Sequence, residues 1–189
     1  MYAKVENNQV VKASSNLASF NNAAPSWSAE QLAANGIYEV VYDNTNLKDD
    51  RFYINGAESF TFANDTVTAS YTAAVGKALD DVNATDENDV ELDPVVVISG
   101  VKSIEKNQIK AQAASLLQST DWYVVRNAES STAVPANVST YRTAVRTKSN
   151  EMETAIDGAA SIEAVEALFT YTTGADDVVS RPLGEWPKL

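Results

Sequence analysis

Phe52-Tyr53-Ile54-Asn55-Gly56-Ala57-Glu58-Ser59-Phe60-Thr61-Phe62-Ala63-Asn64-Asp65-Thr66-Val67-Thr68-Ala69-Ser70-Tyr71 sets two Asn-led turns between short runs of aromatic and β-branched residues. Asn-Gly and Asn-Asp tolerate the positive φ that two-residue hairpin loops require, and the flanking side chains suit a pleated surface. The segment predicts three antiparallel strands: residues 52–54 and 57–62 about Asn55-Gly56, then 66–71 after Asn64-Asp65. Phe60 and Phe62 flank Thr61 at the period of two expected of a strand with one buried face.

The same chemistry extends toward the N-terminus. Residues 2–5 and 9–12 flank Asn7-Asn8, a further hairpin signal. Ser28-Ala29-Glu30-Gln31 fits a capping box and Asn35-Gly36 a left-handed helix stop, so one short helix is predicted between them. Residues 37–42 then resume as a strand. Toward the C-terminus the composition changes. Asp80, Asp81, Asp86, Glu87, Asp89, Glu91 and Asp93 crowd a stretch that reads as a solvated linker. Pro94 leads into Val95-Val96-Val97-Ile98, either a short strand or the approach to a helix.

Helical spacing takes over after Gly100. Val101, Ile104, Ile109, Ala113, Leu116 and Leu117 predict a helix ending near Thr120-Asp121, with Lys102, Lys106 and Lys110 stepping along one face. A second helix follows Pro135, with Val138, Tyr141, Val145, Met152 and Ile156 on one stripe and Gly158 at its end. Ser161 caps a third, short one that carries Ile162, Val165, Leu168 and Phe169. From Asp176 onward two prolines and a glycine argue against regular structure, and Trp186 beside Pro187 is expected to dock onto a surface. The predicted fold class is α+β. A small antiparallel β domain spans 1–76 and an acidic linker 77–100. A helical hairpin with a third short helix spans 101–170, and an extended tail 171–189.

Composition narrows the function. The 189 residues suffice for one domain or two small ones, and 44 % hydrophobic residues can supply a core. There is no cysteine and no histidine, which removes thiol chemistry, the commonest general base and the commonest zinc ligand. The net charge of -12 falls mostly on residues 1–100, so neither nucleic acid nor an anionic membrane is an expected partner. The longest aliphatic run is residues 95–98, and the opening residues lack the apolar core of a signal peptide, so a cytoplasmic site of synthesis and assembly is expected. Ser103 and Lys106 match a bare Ser-x-x-Lys spacing without its supporting motifs, and the run from Asp86 to Asp93 lacks the glycine and ligand spacing of a calcium loop. No catalytic residue, cofactor or metal site is predicted.

Leu116-Leu117-Gln118-Ser119-Thr120-Asp121-Trp122-Tyr123-Val124-Val125-Arg126, followed by Glu129, Pro135 and Tyr141-Arg142-Thr143-Ala144-Val145-Arg146, is the most specific stretch. Physically it reads as a tight αα-hairpin. Leu116 and Leu117 would bury, and Thr120 or Asp121 would cap the next turn. Trp122 would plug the hairpin and Arg126 would pair with Glu129. Arg142 and Arg146 would face carboxylates. The order Leu-Leu-x-x-Thr-Asp-Trp, then Arg, Glu, Pro and Tyr-Arg-x-x-x-Arg, resembles the C-terminal region of bacteriophage tail-fibre assembly and related tail proteins. Trp186-Pro187 is similar to the close of that family, and the opening twelve residues, Met1 to Lys12, resemble the start of marine-phage tail structural proteins.

The resemblance implies a non-enzymatic virion tail component, assembled in the host cytoplasm, whose partners are other tail or fibre proteins and further copies of itself. A tail-fibre assembly chaperone absent from the mature particle is one alternative. A receptor- or glycan-binding module stacking sugar on Tyr42, Phe52 and Tyr53 is another. Trp122, Tyr141, Arg142, Arg146, Trp186 and Leu189 are the interface candidates, with ordinary core the competing reading for Trp122 and Tyr141.

Overall fold

The computed structural model describes residues 1–20 and 23–189 and is α+β, with the sheet first and the helices after it. The chain forms two compact units, Met1–Val75 and Gly76–Leu189.

The first unit is a five-stranded sheet. Its strands are β1 (Tyr2–Glu6), β2 (Gln9–Ser14), β3 (Ile37–Asp43), β5 (Glu58–Ala63) and β6 (Thr66–Tyr71); β4 (Tyr53–Ile54) lies outside it, and α1 (Ala29–Ala34) precedes β3. The order is β2-β1-β3-β6-β5. Two hairpin turns form where the sequence places them. Asn7 and Asn8 have φ of 51° and 61°, and Asn64 and Asp65 have 51° and 56°, the left-handed pair that matches strand twist. The capping box is complete: Gln31 N–H donates to Ser28 Oγ, and Ser28 N–H donates to Gln31 Oε1 at 2.8 Å. Gly36, at φ 67°, ends the helix. Ala3, Val40, Val67 and Ala69 line the buried face, with Tyr38, Phe60 and Phe62 packed around them.

Two features of the sheet depart from expectation. β3 and β6 pair in parallel, Val40 opposite Val67, whereas an antiparallel sheet is predicted. The chain between Asp43 and Glu58 carries β5 to the edge, and the β5–β6 hairpin then folds back to lay β6 beside β3. Asn55-Gly56 makes no hairpin, for β5 pairs with β6 and not with β4. Neither residue has positive φ. The Asn55 side chain instead accepts the Lys48 N–H and donates to the Lys48 carbonyl, both at 2.9 Å, and Gly56 lies where a Cβ would fall 2.5 Å from the Thr72 carbonyl oxygen.

Beyond β7 (Val75–Gly76), the second unit holds β8 (Val82–Asn83), β9 (Val97–Ile98), α2 (Val101–Gln118), α3 (Asp121–Ser130), α4 (Ala136–Gly158), α5 (Ile162–Phe169), β10 (Thr172–Thr173) and β11 (Val179–Ser180). The acidic stretch is not bare linker: β8 and β9 form an antiparallel ladder, and Thr85 bridges Glu91. The C-terminal stretch also carries regular structure, as β10 pairs with β11. All five residues of the α4 stripe are buried, Val145 and Ile156 completely. Four of them, Tyr141, Val145, Met152 and Ile156, meet Ile109 and Ala113 of α2 and Leu183 of the C-terminal segment. Burying each large aliphatic side chain contributes about 1.5–3 kcal/mol, so this seam holds the helices together.

On α2 the buried positions are Val101, Glu105, Ile109 and Ala113. Strict steps of four leave Ile104 exposed, contrary to the sequence reading, and place Glu105 inside. The three stepped lysines each find an acid: Lys102 with Asp80, Lys106 with Asp157 at 2.6 Å, and Lys110 with Glu153.

The α2 N-terminus is capped from a distance. Gly100 has no side chain to offer, and Asp81 Oδ1 accepts its N–H at 2.8 Å. That bond first, then one from Ser103 and the charge of Lys106, holds the Asp81 carboxyl below its usual range. A carboxylate beside a helix N-terminus is also favoured by the helix dipole. A depressed folded pKa means a contribution present above the ordinary Asp range, near pH 4, and lost as pH falls through the folded value. The Gly100 amide resonance is expected to move upfield on acidification with a midpoint below that ordinary range. In Asp81→Asn the transition should vanish; a midpoint at or above the ordinary value would contradict the cap.

Candidate functional site

Part of the motif, Leu116, Leu117, Thr120, Asp121, Tyr141 and Arg142, meets in one cluster where α2, α3 and α4 come together. Arg142 is at its centre and is buried. One guanidinium nitrogen donates to the Leu117 carbonyl at 2.9 Å and to Thr120 Oγ1 at 2.6 Å, and the other reaches Asp121 Oδ1 at 2.8 Å. Thr120 Oγ1 in turn donates to the Leu117 carbonyl, and the Tyr141 hydroxyl to that of Leu116. One planar side chain thereby ties a carbonyl at the end of α2 to the Thr120 and Asp121 side chains at the start of α3.

The sequence contained the signal for this. Arg142 lies four residues after Val138 and three before Val145, on the buried stripe itself. Arg146 is off the stripe, exposed, and donates only a long bond to the Arg142 carbonyl.

The remaining candidates divide by burial. Tyr141 is core. Trp186 packs on Tyr141, Met152 and their neighbours, half-buried, and its indole N–H donates to Gln112 Oε1 at 2.9 Å. Its docking surface is thus this chain's own helices. Leu189 is 69 % exposed. Trp122 does not plug the hairpin, because Asp121–Ser130 is itself a helix and carries the indole outward to 52 % exposure. Arg126 does not pair with Glu129 either: its guanidinium stacks 4.7 Å from the Trp122 ring and 5.3 Å from that of Tyr123.

α3 is the unusual element. It has ten residues, none of them buried, yet it presents Trp122, Val124 and Val125 at about half exposure around a core-poor helix. A helix apolar on several sides normally lies inside a protein, and an isolated helix this short is marginal in water. Trp, Tyr and Arg together are also the residue types that dominate binding hot spots.

No family model matches this chain, and no curated protein or solved structure is significantly similar to it.

Other concavities are chemically plain. A cleft of about 700 Å³ in the first unit is lined by Tyr2, Trp27, Leu32, Ile37 and Val41, with Glu39 and Asp65 among its walls. A groove of about 570 Å³ follows α4 from Ser139 to Glu151, beside Pro187. Among the described residues no cluster of acidic side chains has metal-binding geometry, and no helix is long and apolar enough to cross a membrane. Carboxyls held below their usual range, Glu30, Asp43, Asp81 and Asp86, owe it to hydrogen bonds in caps and turns. Of the three rings considered for sugar stacking, Phe52 and Tyr53 are buried and only Tyr42 is exposed, so they form no platform.

Proposed function

We propose that the chain is a non-enzymatic component of a bacteriophage tail, a fibre-attachment or baseplate-peripheral part that acts by burying surface against other tail or fibre proteins and against further copies of itself. The observation that carries this reading is α3, a helix with an exposed Trp122, Val124 and Val125 and no buried residue of its own. The sequence resemblance supplies the biological setting. Its motif residues divide accordingly: Leu117, Thr120, Asp121 and Arg142 tie the helices together, and Trp122 is left facing outward.

Mass spectrometry of purified infectious particles of the source phage tests it. The expected result is this chain at a fixed ratio to a tail protein. A chain abundant in infected cells but missing from particles would overturn the virion reading in favour of a transient assembly chaperone. The paired substitution Trp122→Ser, Val125→Ser removes the Arg126 stack and the covered half of each side chain, so it should cost about 1–2 kcal/mol and leave the unit folded, checked by circular dichroism. It should nevertheless prevent incorporation into particles; particles with wild-type content would remove α3 from the interface.

A further inference from the structure

A second surface, in a different part of the second unit, points to a partner of definite chemistry. Val95, Val96, Val97 and Ile98 are each about half exposed, from 49 % to 58 %. Successive strand residues point to opposite faces, so this ribbon is uncovered on both. Val82, Val90 and Leu92 beside it are exposed as well. Fully apolar strands of this kind belong to sheets that are covered on both sides.

β9 is also an open edge. Its ladder neighbour is β8, in a sheet of two strands. The Val96 carbonyl accepts the Ala84 N–H at 2.7 Å and so points inward. By the alternation of an antiparallel ladder, the N–H and carbonyl of Val97 face outward. Edge strands are normally protected by lysine, proline or a bulge, and none interrupts residues 95–98, with Pro94 only preceding them.

The rim selects the occupant. From residue 78 to residue 101 there is no lysine or arginine, while Asp86, Glu87, Asp89, Glu91 and Asp93 lie exposed around the ribbon. Among the described residues, Glu87, Asp89 and Asp93 make no ion pair. Asp86 is fixed in a tight turn, accepting the N–H groups of Asn88 and Val90. A second copy would bring a like-charged rim onto this one, which is unfavourable. We infer that the β9 edge pairs with an extended, β-branched segment of another protein flanked by lysine or arginine, which adds a strand to the β8–β9 ladder.

The test uses the whole chain and two fluorescent peptides of alternating valine and threonine, one with lysines at both ends and one with glutamates. Fluorescence anisotropy should show the lysine-flanked peptide binding at least tenfold tighter, with the preference shrinking as salt rises. Val97→Pro removes only an outward N–H and should abolish binding while circular dichroism stays unchanged. Should that variant unfold, Val97→Lys keeps every backbone donor, repels the basic peptide and should weaken it at least tenfold. Equal binding of both peptides, binding undiminished by the folded variants, or no binding at all would each overturn the proposal. So would self-association by sedimentation that Val97→Lys abolishes without any peptide preference, since the occupant would then be a second copy.

Discussion

Arg142→Ala is expected to destabilise the helical unit by about 3 kcal/mol, because it removes a buried, charge-assisted donor from two buried acceptors and leaves a cavity behind. For a unit of this size the unfolding midpoint should fall by roughly 10 °C. The geometry also predicts which part of the network matters. Asp121, the ion-pair partner, is more than half exposed, so solvent screens the pair and Asp121→Asn should cost less than about 1 kcal/mol. The Leu117 carbonyl and Thr120 Oγ1 are the acceptors that lose something, and even they keep one bond to each other. Arg142→Met fills most of the same volume without the charge, and its cost should therefore lie between the other two. Urea denaturation of the three variants checks the ranking. If Asp121→Asn proved as damaging as Arg142→Ala, the ion pair and not the buried donors would be holding α2, α3 and α4 together, and the description of the cluster would be wrong.

What the sequence revealed about the fold depended on how far apart the deciding groups are. Asn7-Asn8, Asn64-Asp65 and the Ser28–Gln31 box act on backbone within three residues of themselves, and each does in the structure what its chemistry predicts. The α4 stripe is legible for a similar reason: over 23 residues the spacing of buried side chains is repeated often enough to identify a face. Asn55-Gly56 carries an equally strong local signal and fails, because tertiary partners compete for it. The parallel pairing of β3 with β6 and the cap that Asp81 lends to Gly100 across 19 residues have no local signature.

The candidate site shows the same division. Trp122-Tyr123-Val124-Val125 favours strand by propensity and the Thr120 N-cap makes no side-chain capping bond, so α3 has no local signature in the sequence. Its helix is held by what precedes and follows it: Arg142 at its start, and at its end Ser131 in the left-handed conformation, φ 55°, with Asn127 donating to the Thr132 carbonyl. Residue type cannot separate an inward aromatic from an outward one. Tyr141 and Trp122 differ only in whether a buried stripe passes through them, and the stripe runs through Tyr141 alone.

Gly100→Ala should be the other costly change, although it adds only one methyl group, at the N-cap of α2. A Cβ at this position would fall 2.4 Å from both the carbonyl carbon and the oxygen of Asp80, and 2.7 Å from the Leu79 oxygen. These are backbone atoms and cannot rotate away. Relief requires residues 78–81 to move off the start of α2, and that segment accepts three backbone N–H groups there. Val101 N–H donates to the Ala78 carbonyl at 2.9 Å and Lys102 N–H to the Leu79 carbonyl at 3.1 Å, while Asp81 receives the Gly100 N–H. Overpacking costs about 1–3 kcal/mol, and displacing the segment also breaks the Asp81 cap, so a cost at the upper end of that range is expected. The φ of Gly100 is −76°, which any residue adopts, so the penalty is steric and not conformational. That distinction can be measured. Gly100→Ala combined with Asp81→Ala should be less destabilised than the sum of the two single changes, because once the segment is displaced the cap has already been lost. Strictly additive costs in the double-mutant cycle would mean that residues 78–81 stay in place beside the new methyl group, and the close approach described here would then have to be relieved by movement of α2 instead.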